Sequence, residues 1–136
     1  MPARPLTDKL SVSPQIQLDE LPDFAKQGFR TLICNRPDGE GADQPTHQQL
    51  AQAAAALGMR LHYLPVTPGQ LDEASIAGFG KLLAEAPGPV LAYCRTGTRS
   101  TMLWALSQAG RQPAAQLLQT AQEAGYDISA LAGRLG

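Results

Sequence analysis

The stretch Pro89-Val90-Leu91-Ala92-Tyr93-Cys94-Arg95-Thr96-Gly97-Thr98-Arg99-Ser100 decides how the rest of the chain can fold. A short apolar run ends at Cys94 and a helical run over 101–106 follows the loop, so the pattern predicts strand, tight loop and helix. In such a turn the loop amides point inward and the helix adds its positive end, which makes an anion-binding nest. A thiol held there should ionise readily, and the thiolate is a nucleophile. The stretch therefore predicts a catalytic cysteine at position 94.

The polar residues of this loop are predicted to serve that cysteine. Arg99 is a second predicted catalytic residue, placed at the start of the helix where it can pair with a bound anion. Ser100 is predicted both to donate to the sulfur and to cap the helix. Arg95 either attracts substrate or is a solvated loop charge. The residues predicted to bind the substrate anion are Arg95, Thr96, Gly97, Thr98 and Ser100.

The spacing between Cys94 and Arg99 indicates which anion fits the loop. Four residues separate the two, whereas protein tyrosine phosphatases place five between His-Cys and Arg. Here Tyr93 stands where those phosphatases have histidine. The shorter loop resembles that of rhodanese-type sulfurtransferases, in which the amides close around the outer sulfur of a cysteine persulfide. A longer loop suits a tetrahedral phosphoryl group, so the spacing favours sulfur transfer.

The composition narrows the class of protein. The 136 residues predict one domain, 1–136, and a hydrophobic share of 43% is enough for one core. A net charge of -1 gives no reason to expect a nucleic acid or membrane partner. Two cysteines indicate reduced thiols. Because the start lacks an apolar signal run and no segment is long enough to span a bilayer, a cytoplasmic protein is predicted.

The order of elements predicts where the site lies. From Phe29 onward strands alternate with helices, which predicts an α/β fold with a parallel sheet and helices on both faces. In such sheets ligands bind beyond the carboxyl ends of the strands. The loop after Cys34, the turn after Val66 and the Cys94 loop should therefore meet at one rim.

Two of these segments carry further predictions. Arg36 and Asp38 are predicted to form an ion pair that holds the first loop, with a role at the rim of the substrate site as the alternative. Cys34 lies mid-strand and is interpreted as an inert buried thiol rather than a resolving thiol. His47 and His62 lack metal-ligand spacing, so no metal site is predicted, and catalysis by a cysteine is expected to need no cofactor.

The turn after Val66 bears on phosphatase chemistry. A phosphatase needs an acid to protonate its leaving group. The turn reads Thr67-Pro68-Gly69-Gln70, which contains no carboxylate. Asp72 follows, but its position is typical of a cap for the next helix. The acid is therefore expected to be missing or displaced.

The converging segments together resemble a known bacterial family. Asn35–Glu40, Gln44–Pro45, Leu64–Val66 and Tyr93–Ser100 occur here in the order in which that family carries them. It is the beta-lactamase hydrolase-like protein, phosphatase-like domain, and the resemblance covers roughly Leu6–Leu106. It implies a three-layer fold like that of dual-specificity and tyrosine phosphatases, carrying a rhodanese-like loop. Members are similar to persulfide-handling sulfurtransferases and occur beside or fused to persulfide dioxygenases and sulfide-oxidising flavoproteins. Because this sequence carries no metallo-hydrolase segment, it is expected to be the stand-alone form.

These observations predict a small sulfurtransferase. Cys94 would take the outer sulfur of thiosulfate or a persulfide and pass it to a thiol such as glutathione, or to cyanide, with ping-pong kinetics. The predicted partners are a small anionic sulfur donor, a thiol acceptor and, by the resemblance, a persulfide dioxygenase or sulfide-oxidising flavoprotein. Two alternatives stay open. One is a cysteine phosphatase that forms a phosphocysteine, and the other is a non-catalytic anion-binding module.

Overall fold

In the computed structural model, which describes residues 3–136, a five-stranded sheet lies between two layers of helices. The expectation drawn from the start of the chain includes Met1 and Pro2, which lie outside the described residues. The spatial order is β1-β2-β5-β3-β4, antiparallel between β1 and β2 and parallel elsewhere. The strands are β1 (Arg4–Pro5), β2 (Leu10–Ser13), β3 (Thr31–Cys34), β4 (Arg60–Tyr63) and β5 (Val90–Tyr93).

Six helices cover the sheet within the part of the chain that the structure describes. Thr46 caps α2 by accepting the N–H of Gln49, and Asp72 caps α3 by accepting that of Ser75. Short 3-10 turns at Leu18–Glu20 and Ser129–Leu131 precede α1 and α6. The helices are α1 (Leu21–Lys26), α2 (His47–Ala56), α3 (Glu73–Glu85), α4 (Thr98–Ser107), α5 (Ala114–Glu123) and α6 (Ala132–Leu135).

The central strand β5 contributes side chains to two hydrophobic cores, one on each face of the sheet, and so positions the loop that follows it. Successive side chains of a strand point to opposite faces. Val90 and Ala92 accordingly pack in the cluster formed with α3, α4, α5 and α6, while Leu91 and Tyr93 pack in the cluster formed with α1 and α2. The predicted α/β fold with a parallel sheet and helices on both faces is confirmed, with the one difference that β1 pairs with β2 in antiparallel orientation. The prediction of one domain over 1–136 stays a prediction.

Among residues 3–136, no helix is both long and apolar enough to cross a lipid bilayer. The cytoplasmic location stays a prediction from the sequence.

Candidate active site

The loop between β5 and α4 holds the sulfur of Cys94 against a backbone amide. Gly97 is the N-cap of α4 with a φ of 99°, a conformation that favours glycine. With this backbone geometry the Gly97 N–H donates to Cys94 Sγ at 3.1 Å. The sulfur therefore lies in a buried site at the positive end of a helix, where a nucleophilic thiol is expected. Gly97 is one of the predicted anion-binding positions, and its amide is directed at the sulfur.

Tyr126 supports this loop by a hydrogen bond to its backbone. Its Oη donates to the Thr96 carbonyl oxygen at 3.0 Å, and Thr101 Oγ1 donates to the Gly97 carbonyl oxygen at 2.8 Å. Burial first, and the nearby Cys94 second, raise the pKa of Tyr126, so its hydroxyl keeps the proton that it donates. The sequence carries no local signal for this residue, which lies 30 positions after Thr96.

Arg99 is held at the floor of the site by Glu40. Its Nη1 donates to Glu40 Oε2 at 2.8 Å and to the Val66 carbonyl oxygen at 2.8 Å, and its Nη2 donates to Glu40 Oε1 at 2.9 Å. Three of the five guanidinium N–H bonds are thus used, which leaves Nε–H and one Nη2–H for the sulfur or a bound anion. Burial works against the charge, but Glu40 and the nearby Cys94 outweigh it and raise the pKa of Arg99.

Glu40 bridges two arginines. Arg36 Nε donates to its Oε1 at 3.0 Å, so one carboxylate accepts from both Arg36 and Arg99. The hydrogen bonds from Arg99 first, and those from Arg36 second, lower the pKa of Glu40 despite its partial burial. Glu40 therefore stays ionised and acts as a positioning residue. One feature of the sequence could have indicated Glu40, namely its spacing of four residues from Arg36.

Glu40→Gln is expected to lower the free energy of unfolding by about 1–2 kcal/mol at neutral pH, a value reduced for partial solvent screening. A carboxyl with a lowered folded-state pKa stabilises the protein fully above its ordinary value of 4.5. That contribution is lost as the pH falls toward the lowered value. Urea unfolding of both proteins between pH 7 and pH 3 should show the difference shrinking below about pH 4.5. A constant difference would contradict the charged bridge.

The predicted ion pair between Arg36 and Asp38 is wrong. Arg36 pairs with Glu40 instead, and its Nη1 donates to Gln15 Oε1 at 3.1 Å. Asp38 accepts the backbone N–H of His47 at 2.9 Å and lies 2.6 Å from His47 Nδ1. The reason is geometric, because an arginine reaches a carboxylate four residues away while the shorter Asp38 side chain is captured at the start of α2. Arg36 lines the cleft above the loop, whereas Asp38 lies outside its lining.

The predicted role of Ser100 is also corrected. Its Oγ donates to Asn35 Oδ1 at 2.8 Å, so its single hydroxyl proton is directed at β3 and not at the sulfur. The helix is capped by Gly97 and has no side-chain cap. Thr98 Oγ1 lies 3.0 Å from Thr96 Oγ1, so these two hydroxyls also pair with each other. Arg95 is exposed at the mouth of the cleft.

The cleft beside the loop that follows Cys94 is polar and open, with a volume of about 870 Å³, and Arg95, Thr96, Thr98 and Arg99 of the loop line it. Three arginines and two carboxylates line it, accompanied by glutamines and by Pro68 and Gly69 of the turn after β4. No carboxylate lies on that turn, and Asp72 is occupied as the cap of α3. The ionisable lining residues are Arg36, Arg95, Arg99, Glu40 and Asp43.

Cys34 and the histidines stay outside this chemistry. The Cys34 thiol is buried, donates to the Arg36 carbonyl oxygen at 3.3 Å, and has its pKa raised by burial. His47 stacks on Tyr63 with ring centroids 3.7 Å apart. Within residues 3–136 no three His, Cys, Asp or Glu side chains are grouped as metal ligands would be.

The fold and this loop define a class. A Neisseria meningitidis protein, named provisionally as a phosphatase, superposes with a TM-score of 0.89 at 36% identity, covering 97% of this chain and 94% of that one. Kinase-associated phosphatase superposes with a TM-score of 0.76 at 14% identity, covering 98% of this chain and 89% of that one, which shows the fold alone. The structure therefore has a phosphatase-like fold with a cysteine-based site.

Within that class the chain belongs to the family described as beta-lactamase hydrolase-like protein, phosphatase-like domain, whose model matches residues 3–111. A beta-lactamase hydrolase-like protein of Agrobacterium fabrum is 36% identical over 132 residues, which is 96% of this chain and 31% of the relative. The chain thus spans less than a third of that relative. The predicted family is confirmed. The comparisons give no support to sulfur transfer and fit the phosphatase alternative better.

Proposed function

We propose that the chain is a cysteine-dependent phosphatase that uses Cys94 as nucleophile. The contact between the Gly97 amide and Cys94 Sγ carries this proposal, because it puts the sulfur beside a donor in a loop whose arginine is already oriented. The family and the phosphatase-like fold of its relatives support it. Arg99 would hold the equatorial oxygens of the phosphoryl group with its two unused N–H bonds.

The reaction has two balanced steps. The Cys94 thiolate attacks phosphorus, the bond between phosphorus and the leaving oxygen breaks, and the leaving group departs with the electron pair. Water then attacks the phosphocysteine, the P–S bond breaks, and inorganic phosphate and the thiolate are formed. Donors fixed by the fold, chiefly the Gly97 amide and Arg99, stabilise the charge on the phosphoryl oxygens without reorganising.

The chemistry of the turn after β4 leads to a kinetic prediction. With no carboxylic acid on that turn, the leaving group departs largely unprotonated, so its basicity controls the rate. For aryl phosphates whose leaving-group pKa values run from about 4 to 10, kcat/KM is expected to fall by about fivefold or more per unit. A flat series would show that a cleft carboxylate supplies the proton, and Asp43→Asn, at the cleft mouth, would then restore the steep dependence.

A second candidate, sulfur transfer, is favoured by one observation, the four residues between Cys94 and Arg99. In that reaction the Cys94 thiolate would take sulfur from thiosulfate and release sulfite, and a thiol would remove the sulfur from the enzyme. Persulfide dioxygenases and sulfide-oxidising flavoproteins are the partners that this candidate predicts. Intact mass after incubation with thiosulfate tests it, since a thiol-removable adduct of one sulfur on wild type, absent from Cys94→Ser, would support it. A protein that turns over neither substrate class would be an anion-binding module.

A further inference from the structure

We propose that the substrate is a phosphoanhydride, with the attacked phosphoryl group in the Cys94 loop and a second phosphoryl group on Arg36. The inference rests on the proposed function and adds the chemical class of the leaving group. Three observations lead to it, namely the unused donors of Arg36, its distance from Arg99, and the residue types that line the cleft.

Arg36 has donors to spare inside the cleft. Its Nε is used by Glu40 and one Nη1–H by Gln15, which leaves one Nη1–H and both Nη2–H bonds. The residue is only 8% exposed, yet it lines the cleft. Arg36 Nη2 packs beside Gly41, which also lines the cleft, and it donates to no described partner although it is not fully sealed from solvent. A buried guanidinium that lines a cleft and keeps unused donors is a ready partner for an anion.

The second site is close to the first. Arg36 Nε and Arg99 Nη2 donate to the same oxygen of Glu40, at 3.0 and 2.9 Å. Those two nitrogen atoms are therefore at most about 6 Å apart. Two anionic groups separated by only a few bonds can thus be held by the two arginines together. A diphosphate group, whose phosphorus atoms share one bridging oxygen, fits this spacing.

The lining of the cleft indicates what kind of leaving group it takes. No aromatic side chain of residues 3–136 lines the cleft, so nothing is available to stack on the ring of an aryl ester. The turn after β4 supplies no acid, which disfavours the strongly basic alkoxide of a simple alkyl ester. A phosphate leaving group needs no proton from the enzyme and carries the negative charge that Arg36 would bind. Arginines also outnumber carboxylates in the lining, three to two.

Hydrolysis of a phosphoanhydride at this site needs water and no other reactant. The Cys94 thiolate attacks the terminal phosphorus, and the bond from that phosphorus to the bridging oxygen breaks. The remaining phosphate leaves with the electron pair, stabilised by Arg36. Water hydrolyses the phosphocysteine as in the proposed function. Arg36 would thus contact the departing group in the transition state.

Binding of two inert probes to the Cys94→Ser protein tests the second site without turnover. Methylenediphosphonate carries two phosphonate groups and ethylphosphonate carries one. By isothermal titration at about 0.15 M salt, methylenediphosphonate is expected to bind about tenfold more tightly or better, the effect of one charge-assisted pair. Adding Arg36→Gln should bring the ratio of the two affinities close to one, whatever it does to either affinity, and Arg36→Lys should keep part of the preference.

Arg60→Gln is the matched control, because it removes one positive charge at the amino end of β4, away from the Cys94 loop, and should keep the full preference. Equal binding of the two probes by the Cys94→Ser protein would overturn the proposal. So would an unchanged ratio in Arg36→Gln, or loss of the preference in Arg60→Gln. Because the probes are not hydrolysed, a preference that depends on Arg36 can be found even if the wild-type protein hydrolyses no phosphate. The two failures are therefore distinguishable.

Discussion

Cys94→Ser is expected to abolish turnover, lowering kcat/KM by at least about 10³-fold on any substrate that the wild-type protein converts. A serine hydroxyl is a far weaker nucleophile than a thiolate at neutral pH, and the loop holds no general base against it. Stability should change little, because serine Oγ can still accept the Gly97 N–H that Cys94 Sγ accepts at 3.1 Å. Steady-state kinetics with an activated aryl phosphate and thermal unfolding measure the two effects.

Cys34→Ser is the matched control for that experiment. The two cysteines are almost equally buried, at 2% exposure for Cys34 and 1% for Cys94. Serine at position 34 can donate to the Arg36 carbonyl oxygen as the thiol does. At least half of the wild-type activity should therefore remain. If Cys34→Ser were as inactive as Cys94→Ser, the assignment of Cys94 as the one nucleophile would fail.

Gly97→Ala is expected to lower kcat by about 10²-fold, the size of effect seen when one oriented backbone donor is lost from an active site. Two causes act together. A φ of 99° is unfavourable for alanine, and the added Cβ would overlap the Tyr126 hydroxyl and ring. Either the loop or Tyr126 must move, which turns the Gly97 amide away from Cys94. Pre-steady-state kinetics should place the loss in formation of the covalent intermediate.

The chain offers a control that separates backbone strain from the contact. Gly28 also has a φ of 99°, but a Cβ there would meet nothing within 4 Å. Gly28→Ala should therefore lose about 1 kcal/mol of unfolding free energy, as strain alone costs, and keep its activity. If both variants lost activity equally, general destabilisation would explain the loss, and the close packing of Gly97 against Tyr126 would not contribute to activity.

Local features of the sequence were enough to predict the core of the site. The apolar run before Cys94, the glycine after it and the helical run beyond are read from neighbouring residues, so strand, loop and nucleophile follow from spacing. The alternation of strands and helices likewise predicted the parallel sheet. Loop length predicted sulfur transfer, for which the comparisons give no support, because spacing alone does not show which anion the surrounding cleft accepts.

The tertiary structure decided which side chains pair with the acids of the loop that follows β3. Three acids of the first loop could each have met an arginine by sequence, but Glu40 reaches Arg99 across 59 positions. Asp38 is instead held by His47, and Asp43 stays exposed at the cleft mouth. Such choices depend on which strands are neighbours. Because β3 pairs with β5, the loop after Cys34 lies beside Arg99, and no local pattern encodes that pairing.

The sequence by itself therefore determined the turn that presents Cys94 and the class of sheet, and it was enough to predict Cys94 as the nucleophile, because each depends on backbone preferences over a few residues. Only the tertiary structure decided that Glu40 orients Arg99, that Ser100 donates to Asn35 and that Tyr126 supports Thr96. Each of these is a contact between side chains or loops far apart in the chain. Their geometry is fixed only when the strands have paired and the helices have packed on them.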